Sequence, residues 1–141
     1  MVYLNKFSME IDAKLENEGF IRSIVAAFCV PLNPSLSEIN DIKTAVSEAV
    51  TNSIVHGYQK QSGKIYVSVG IAEGIVEISI VDNGQGIEDI AKARQPFFTT
   101  KSREERSGMG FTLMESFMDE LDVSNNEEGG VSVYMKKYIK Q

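Results

Sequence analysis

From Leu36 to Ile54 the chain keeps a single apolar face. Leu36, Ile39, Ile42, Val46, Ala49, Val50 and Ile54 recur at the spacing that places side chains on one side of an α-helix. Ser35-Leu36-Ser37-Glu38 stands before it in the form of a capping box, in which Ser35 and Glu38 take up each other's free backbone N–H groups. Gly57 is placed to stop the helix. Such a helix must bury its apolar face against another layer, and the flanking sequence reads as strands.

Ile65, Val67, Val69 and Ile71 fall at every second position, as do Val76, Ile78 and Ile80, and Glu73-Gly74 lies between the two runs. That pattern predicts an antiparallel hairpin. Phe7, Met9 and Ile11 predict an earlier half-buried strand, and Val123 with Val131, Val133 and Met135 a last strand pair around the turn-rich stretch 125–130. Phe20, Ile21, Ile24, Val25 and Phe28 predict a helix over most of residues 14 to 29, ended by Pro31 and Pro34. Phe111, Met114, Phe117 and Met118 predict a third helix, and residues 94 to 108 a long polar loop of the kind kept for a lid. The expected fold is α+β, a two-layer sandwich with a mixed, mostly antiparallel sheet and helices on one face. Strand order is left open.

At 141 residues the chain has the size of one domain, expected to span 1–141. Its formal charge of −6 argues against direct nucleic-acid binding. The single cysteine, Cys29, has no partner for an internal bridge and reads as a buried small hydrophobe in a reducing cytoplasm. Residues 24–30 form the longest apolar run, well short of the roughly 18 residues that a membrane span requires, and the polar N-terminus lacks a signal-peptide pattern. No membrane association is expected.

Three clusters carry possible chemistry. Glu48 and Asn52 lie one turn apart on the long helix, opposite its apolar stripe. They read either as a solvated polar face or as a base beside a hard oxygen ligand for Mg²⁺. Asp82-Asn83-Gly84-Gln85-Gly86 reads either as a turn or as a carboxylate that accepts a hydrogen bond from the exocyclic amine of adenine, with glycines that let a base approach the backbone. Gly108 and Gly110 before the third helix read either as a loop end or as a phosphate cradle. His56, the only histidine, reads as a last-turn residue that helps the helix C-terminus. A Walker A loop is rejected, because the stretch from Gly57 to Gly63-Lys64 has one residue too many and Ile65 follows where Ser or Thr is required.

In this order, Glu48-Ala49-Val50-Thr51-Asn52, Asp82-Asn83-Gly84-Gln85-Gly86 and Ser107-Gly108-Met109-Gly110-Phe111 resemble the N, G1 and G2 boxes of the GHKL, or Bergerat-fold, family. Within it, the stretches 46–58 and 94–111 are similar to the anti-sigma F kinases of endospore-forming bacteria. The resemblance covers nearly the whole chain. It implies that Asn52 holds the Mg²⁺ that bridges the ATP phosphates, that Glu48 is the catalytic base and that Asp82 recognises adenine. Gly84, Gly86, Gly108 and Gly110 would shape the pocket, beside Ser107, Met109 and Phe111. Thr99, Thr100 and Lys101 would belong to the lid, and Arg106 would reach the terminal phosphate or a partner. Two positions depart from the pattern: Ser102 stands where proline is expected, and Gly130-Val131-Ser132 replaces Gly-Thr-Thr, with Ser132 keeping a hydroxyl that could assist Asp82.

The activity so implied is that of a serine protein kinase which also acts as an anti-sigma factor. It would work as a homodimer that sequesters a sigma F type factor and phosphorylates a serine of an anti-anti-sigma partner. Arg22, Glu105 and Arg106 are the candidate partner contacts. Competing readings are a sigma-sequestering adaptor that uses ATP only to set its shape, a related general-stress anti-sigma kinase, and the catalytic domain of a sensor histidine kinase.

Overall fold

The capping box forms as the sequence predicts. In the computed structural model, which describes residues 1–96 and 110–140, the Glu38 N–H donates to the Ser35 hydroxyl at 3.0 Å and the Ser35 N–H donates to the Glu38 carboxylate at 2.8 Å. From this cap, helix α2 runs over Leu36–Asn52. Ile42, Ala45, Val46, Ala49 and Val50 are completely buried on it. Leu36, expected on the same face, is 77% exposed, because the first turn projects beyond the layer that covers the rest.

Five strands supply that layer: β1 (Tyr3–Asp12), β2 (Lys64–Ala72), β3 (Ile75–Asp82), β4 (Glu120–Asn125) and β5 (Val131–Tyr138). Their order is β1-β2-β3-β5-β4, and every pairing is antiparallel, so the mixed sheet expected from sequence is not seen among the described residues. Gly74 reverses the β2–β3 hairpin at φ 69°, a backbone angle that suits glycine. Ile65, Val67, Val69 and Ile71 of β2 and Val76, Ile78 and Ile80 of β3 all point into one core, with Val133 and Met135 of β5 beside them. Each such side chain stabilises the fold by roughly 1.5–3 kcal/mol relative to exposure.

The helices gather on that face. Helix α1 (Glu18–Phe28) follows a short 3-10 turn at Leu15–Asn17, so the predicted helix starts later than expected. Ile21 and Val25 are fully buried, whereas Phe20 is 53% exposed and stands outside the core. Phe28 meets Phe7 of β1 edge to face, with ring centroids 4.7 Å apart. Helix α4 (Gly110–Phe117) lies on the other flank of α2 and inserts Met114. One buried charge has no counterpart in the sequence patterns: Lys137 on β5 donates to the Phe117 carbonyl at 2.6 Å and to Asp41 of α2 at 3.3 Å, joining the C-terminal end of α4 to the central helix. Among the described residues no helix is long and apolar enough to cross a membrane.

Cys29 caps α1 and is fully buried, and burial pushes its thiol pKa up to about 12. The thiolate is the reactive form. Native protein should therefore react with an aromatic disulfide reagent at pH 8 only as fast as it unfolds. A burst of labelling within seconds would contradict the burial.

Candidate functional site

At its C-terminal end α2 widens. Residues Ser53–Gly57 form a π-helical turn in which the Tyr58 N–H reaches back to the Ser53 carbonyl at 2.9 Å. Single π turns of this kind are frequent at functional sites. Gly57 does not end the helix by a left-handed conformation: the chain reverses through Gln59 and Lys60, at φ 53° and 62°. Its value lies in closeness. A Cβ on Gly57 would sit 2.9 Å from the Asp82 carboxylate, and one on Gly84 would sit 2.1 Å from the Gly57 carbonyl oxygen. The end of α2 and the loop after β3 thus touch backbone to backbone. A Gly84→Ala substitution must push them apart, and a loss of roughly 1–3 kcal/mol in chemical denaturation is expected. An unchanged midpoint would mean that the loop has room to move.

Asp82 ends β3 with 2% exposure. Its Oδ1 accepts from the Gly84 N–H at 3.0 Å and from the Val131 N–H at 3.2 Å. Burial raises the carboxyl pKa, while those two N–H groups and the Ser53 hydroxyl pull it back. Asn52 is 9% exposed, and neither its Oδ1 nor its Nδ2 has a hydrogen-bond partner among the described residues. Leaving such a group unsatisfied costs about 1–3 kcal/mol. Side chains held at that cost are commonly held for something that binds.

Both face one cavity of about 490 Å³, a volume within the usual range of small-molecule sites. Ala49, Ile87, Phe111 and Val133 give it apolar walls, and Ser53, His56 and Gln85 add polar atoms. A short helix α3 (Ile90–Ala93), capped by the Asp89 side chain, borders it through Lys92 and Ala93. This helix immediately precedes the stretch predicted to be a loop. After it, Arg94 pairs with Glu115 of α4 at 3.1 Å.

The predicted residues fall into three groups. Asn52, Asp82, Gly86, Gly110 and Phe111 line the cavity together. Glu48 is half-buried on α2 one turn before Asn52 and is not part of the lining. Gly84 is not part of it either, since it packs on Gly57. At Gly86 a Cβ would lie 2.6 Å from Asn125 Oδ1. At both loop glycines neighbouring protein leaves no room for a Cβ. Ser132 alternates to the sheet face away from the cavity, where Asn126 Nδ2 approaches its hydroxyl at 3.4 Å; the contact expected of it with Asp82 is made by the Val131 N–H. Arg22 is half-buried on α1 and pairs with Glu18 at 3.3 Å, away from the cavity. Thr99, Thr100, Lys101, Glu105, Arg106, Ser107, Gly108 and Met109 lie outside the described residues.

His56, read from sequence as a helix-end residue, lines the cavity, and its carbonyl accepts from Gln85 Nε2 at 2.9 Å. Ser53 and Asn126 were not singled out in the sequence. Each is a polar residue without a motif of its own, and only proximity to Asp82 reveals it.

A sheet covered on one face by helices, with a buried carboxylate at a strand end and a buried carboxamide on the central helix opening onto one cavity, has the make-up of a nucleotide-binding ATPase domain. The family model described as "Histidine kinase-like ATPase domain" matches residues 11–137. An anti-sigma F factor of Thermoanaerobacter sp. (strain X514) is 51% identical over 139 residues, covering 99% of this chain and 97% of the relative. One from Clostridium botulinum (strain Eklund 17B / Type B) is 54% identical over 137 residues, covering 96% of each. The RsbU and RsbW domains of a Mycobacterium tuberculosis protein superpose with a TM-score of 0.68 at 20% identity, over 96% of this chain and 32% of that one, a likeness of fold. The chain belongs to the histidine kinase-like ATPase domain family and, within it, to the anti-sigma F factors.

Proposed function

We propose that this chain is an ATP-dependent serine kinase which doubles as an anti-sigma factor, and that the cavity between Asp82 and Asn52 is its ATP site. One observation carries the reading: two buried polar side chains, one an unpartnered carboxamide and one a carboxylate held at a desolvation cost, open onto the same largely apolar cavity. Asp82 accepts the hydrogen bond of the adenine 6-amino group, and Ile87, Phe111 and Val133 give the base its apolar surroundings.

Asn52 offers its Oδ1 to Mg²⁺. The donor fits such an ion: the Asn52 Oδ1 is a hard oxygen without a hydrogen-bond partner among the described residues, on the wall of the cavity, and Mg²⁺ is commonly held by very few protein oxygens together with substrate phosphates and water. When bound, the ion supplies charge neutralisation for the transferring phosphoryl group. Glu48, one turn back along α2, takes the proton of the acceptor serine as its oxygen attacks the γ-phosphorus and ADP leaves. Residues 97–109 carry the remaining proposed contacts, with Thr99, Thr100 and Lys101 as a lid and Ser107, Gly108 and Met109 beside the phosphates.

The relatives' name supports a sigma factor as one partner. We take the partners to be a sigma F type factor and, as a further proposal, an anti-anti-sigma protein as phosphate acceptor, met by a homodimer in the cytoplasm through Arg22, Glu105 and Arg106. Incubation with γ-labelled ATP, Mg²⁺ and the candidate partner should give acid-stable label on a partner serine. Acid-labile label on this chain would instead favour a histidine kinase. If nucleotide binds, the sigma factor is retained and no label moves, the chain is an adaptor.

A further inference from the structure

The loop from Asp82 to Ile87 carries the proposed purine contact, and most of its backbone N–H groups are held by side chains or by the end of α2. The Asn83 N–H donates to the Tyr58 hydroxyl at 2.8 Å, the Gly84 N–H to Asp82 itself, and the Gln85 N–H to the Gly57 carbonyl at 2.8 Å. These bonds fix the middle of the loop. Its two ends are fixed from the opposite side by adjacent asparagines where β4 runs into its turn.

Asn125 pairs with the peptide groups of Ile87 as a strand would: the Ile87 N–H donates to Asn125 Oδ1 at 2.8 Å, and Asn125 Nδ2 donates to the Ile87 carbonyl at 2.8 Å. Asn126 Nδ2 donates to the Asp82 carbonyl at 2.9 Å. Its Oδ1 meanwhile accepts from the Glu128 and Gly130 N–H groups at 3.0 and 3.1 Å, shaping the turn that leads to Val131. The Val131 N–H is in turn a donor to the Asp82 carboxylate. A carboxamide gives from one atom and accepts at another, which spans both peptide groups; an ionised carboxylate has no donor, and a hydroxyl must do both from a single oxygen.

We propose that Asn125 and Asn126 are positioning residues for purine recognition, clamping Ile87 and Asp82 so that the carboxylate and its apolar neighbour keep one spacing across the base. The proposal rests on the reading of Asp82 as the contact for the 6-amino group. Recognition of a base edge by a buried group depends steeply on distance and direction. Loosening either end of the loop should cost selectivity before it costs the fold.

The test compares ATP with purine riboside 5′-triphosphate, which lacks only the 6-amino group, by calorimetry with Mg²⁺ on the full chain. Wild type should prefer ATP. Asn126→Ala and Asn125→Ala should each weaken ATP about ten-fold while leaving the analogue within about two-fold, so that the preference narrows. Asn125→Asp keeps the acceptor for the Ile87 N–H and loses only the donor, so it should retain a native melting curve with an intermediate preference. Equal weakening of both nucleotides in these variants would assign the asparagines a purely structural role and overturn the proposal, as would no change in either. Wild type that fails to distinguish the two nucleotides would sink the reading of Asp82 itself, before any variant is made.

Discussion

Replacing Glu48 with Gln should leave ATP bound and abolish most phosphate transfer to the partner. The substitution keeps the side chain's size and its place on α2, one turn before Asn52. It removes the ability to take a proton. General-base contributions are typically about 100- to 10,000-fold, so the single-turnover rate should fall by that factor while nucleotide affinity stays within a few-fold. Because Glu48 is half-buried and outside the cavity lining, the protein should melt close to wild type. A variant that binds ATP and transfers phosphate at the wild-type rate would remove Glu48 from the mechanism.

Asp82→Asn should have the second large effect, and of a different kind. The carboxylate that would meet the adenine amine becomes an amide able to turn its own N–H groups toward it, and two donors then face each other in a buried site. A loss of about 3 kcal/mol, or roughly 100-fold in ATP affinity, is expected. GTP presents an acceptor at the equivalent ring position, so the preference for ATP over GTP should shrink as well.

Stability should move the other way. The Asp82 pKa is raised in the folded state, chiefly by burial. A carboxyl whose folded pKa lies above its unfolded one favours folding at low pH, and that contribution is lost as pH rises through the raised value. Nucleotide-free wild type should therefore gain nothing from ionised Asp82 at neutral pH. The Asn variant keeps an oxygen for the Gly84 and Val131 N–H groups and should be at least as stable there. Thermal melts from pH 4 to 8 check both statements; a variant much less stable than wild type at pH 7 would contradict them.

How far the residues announced this arrangement depends on what each does. The capping box, the hairpin and the long amphipathic helix were legible because local hydrogen bonding and a repeating apolar spacing fix them. Asn52 and Asp82 were legible as a pair with uses in view, yet their burial was not, since a polar residue opposite an apolar stripe looks solvated until a second layer is seen to cover it. Helix α4 covers α2 on that side and closes the cavity with Gly110 and Phe111. Gly84 and Gly86 were legible as positions that need to be small, but the neighbours that demand it, Gly57 and Asn125, are distant in sequence. Ser132 was misplaced for a simpler reason: it is one residue out of phase with Val131 and Val133, and alternation sends it through the sheet. Lys137 and Asn126 carried no local pattern at all, because their partners are set by how the helices and strands meet.

The π turn at Ser53–Gly57 makes the angular register of α2 discontinuous. Ahead of it, side chains advance by about 100° per residue; across it, the wider loop of backbone holds one residue more, so everything downstream is set back by about that angle. Removing one residue there would repair the regular helix and, in doing so, swing Gly57 off Gly84 and carry His56 out of the pocket. This part of the chain should accordingly be intolerant of a single-residue deletion even where every remaining side chain is kept, since its length keeps the two halves of the site in phase.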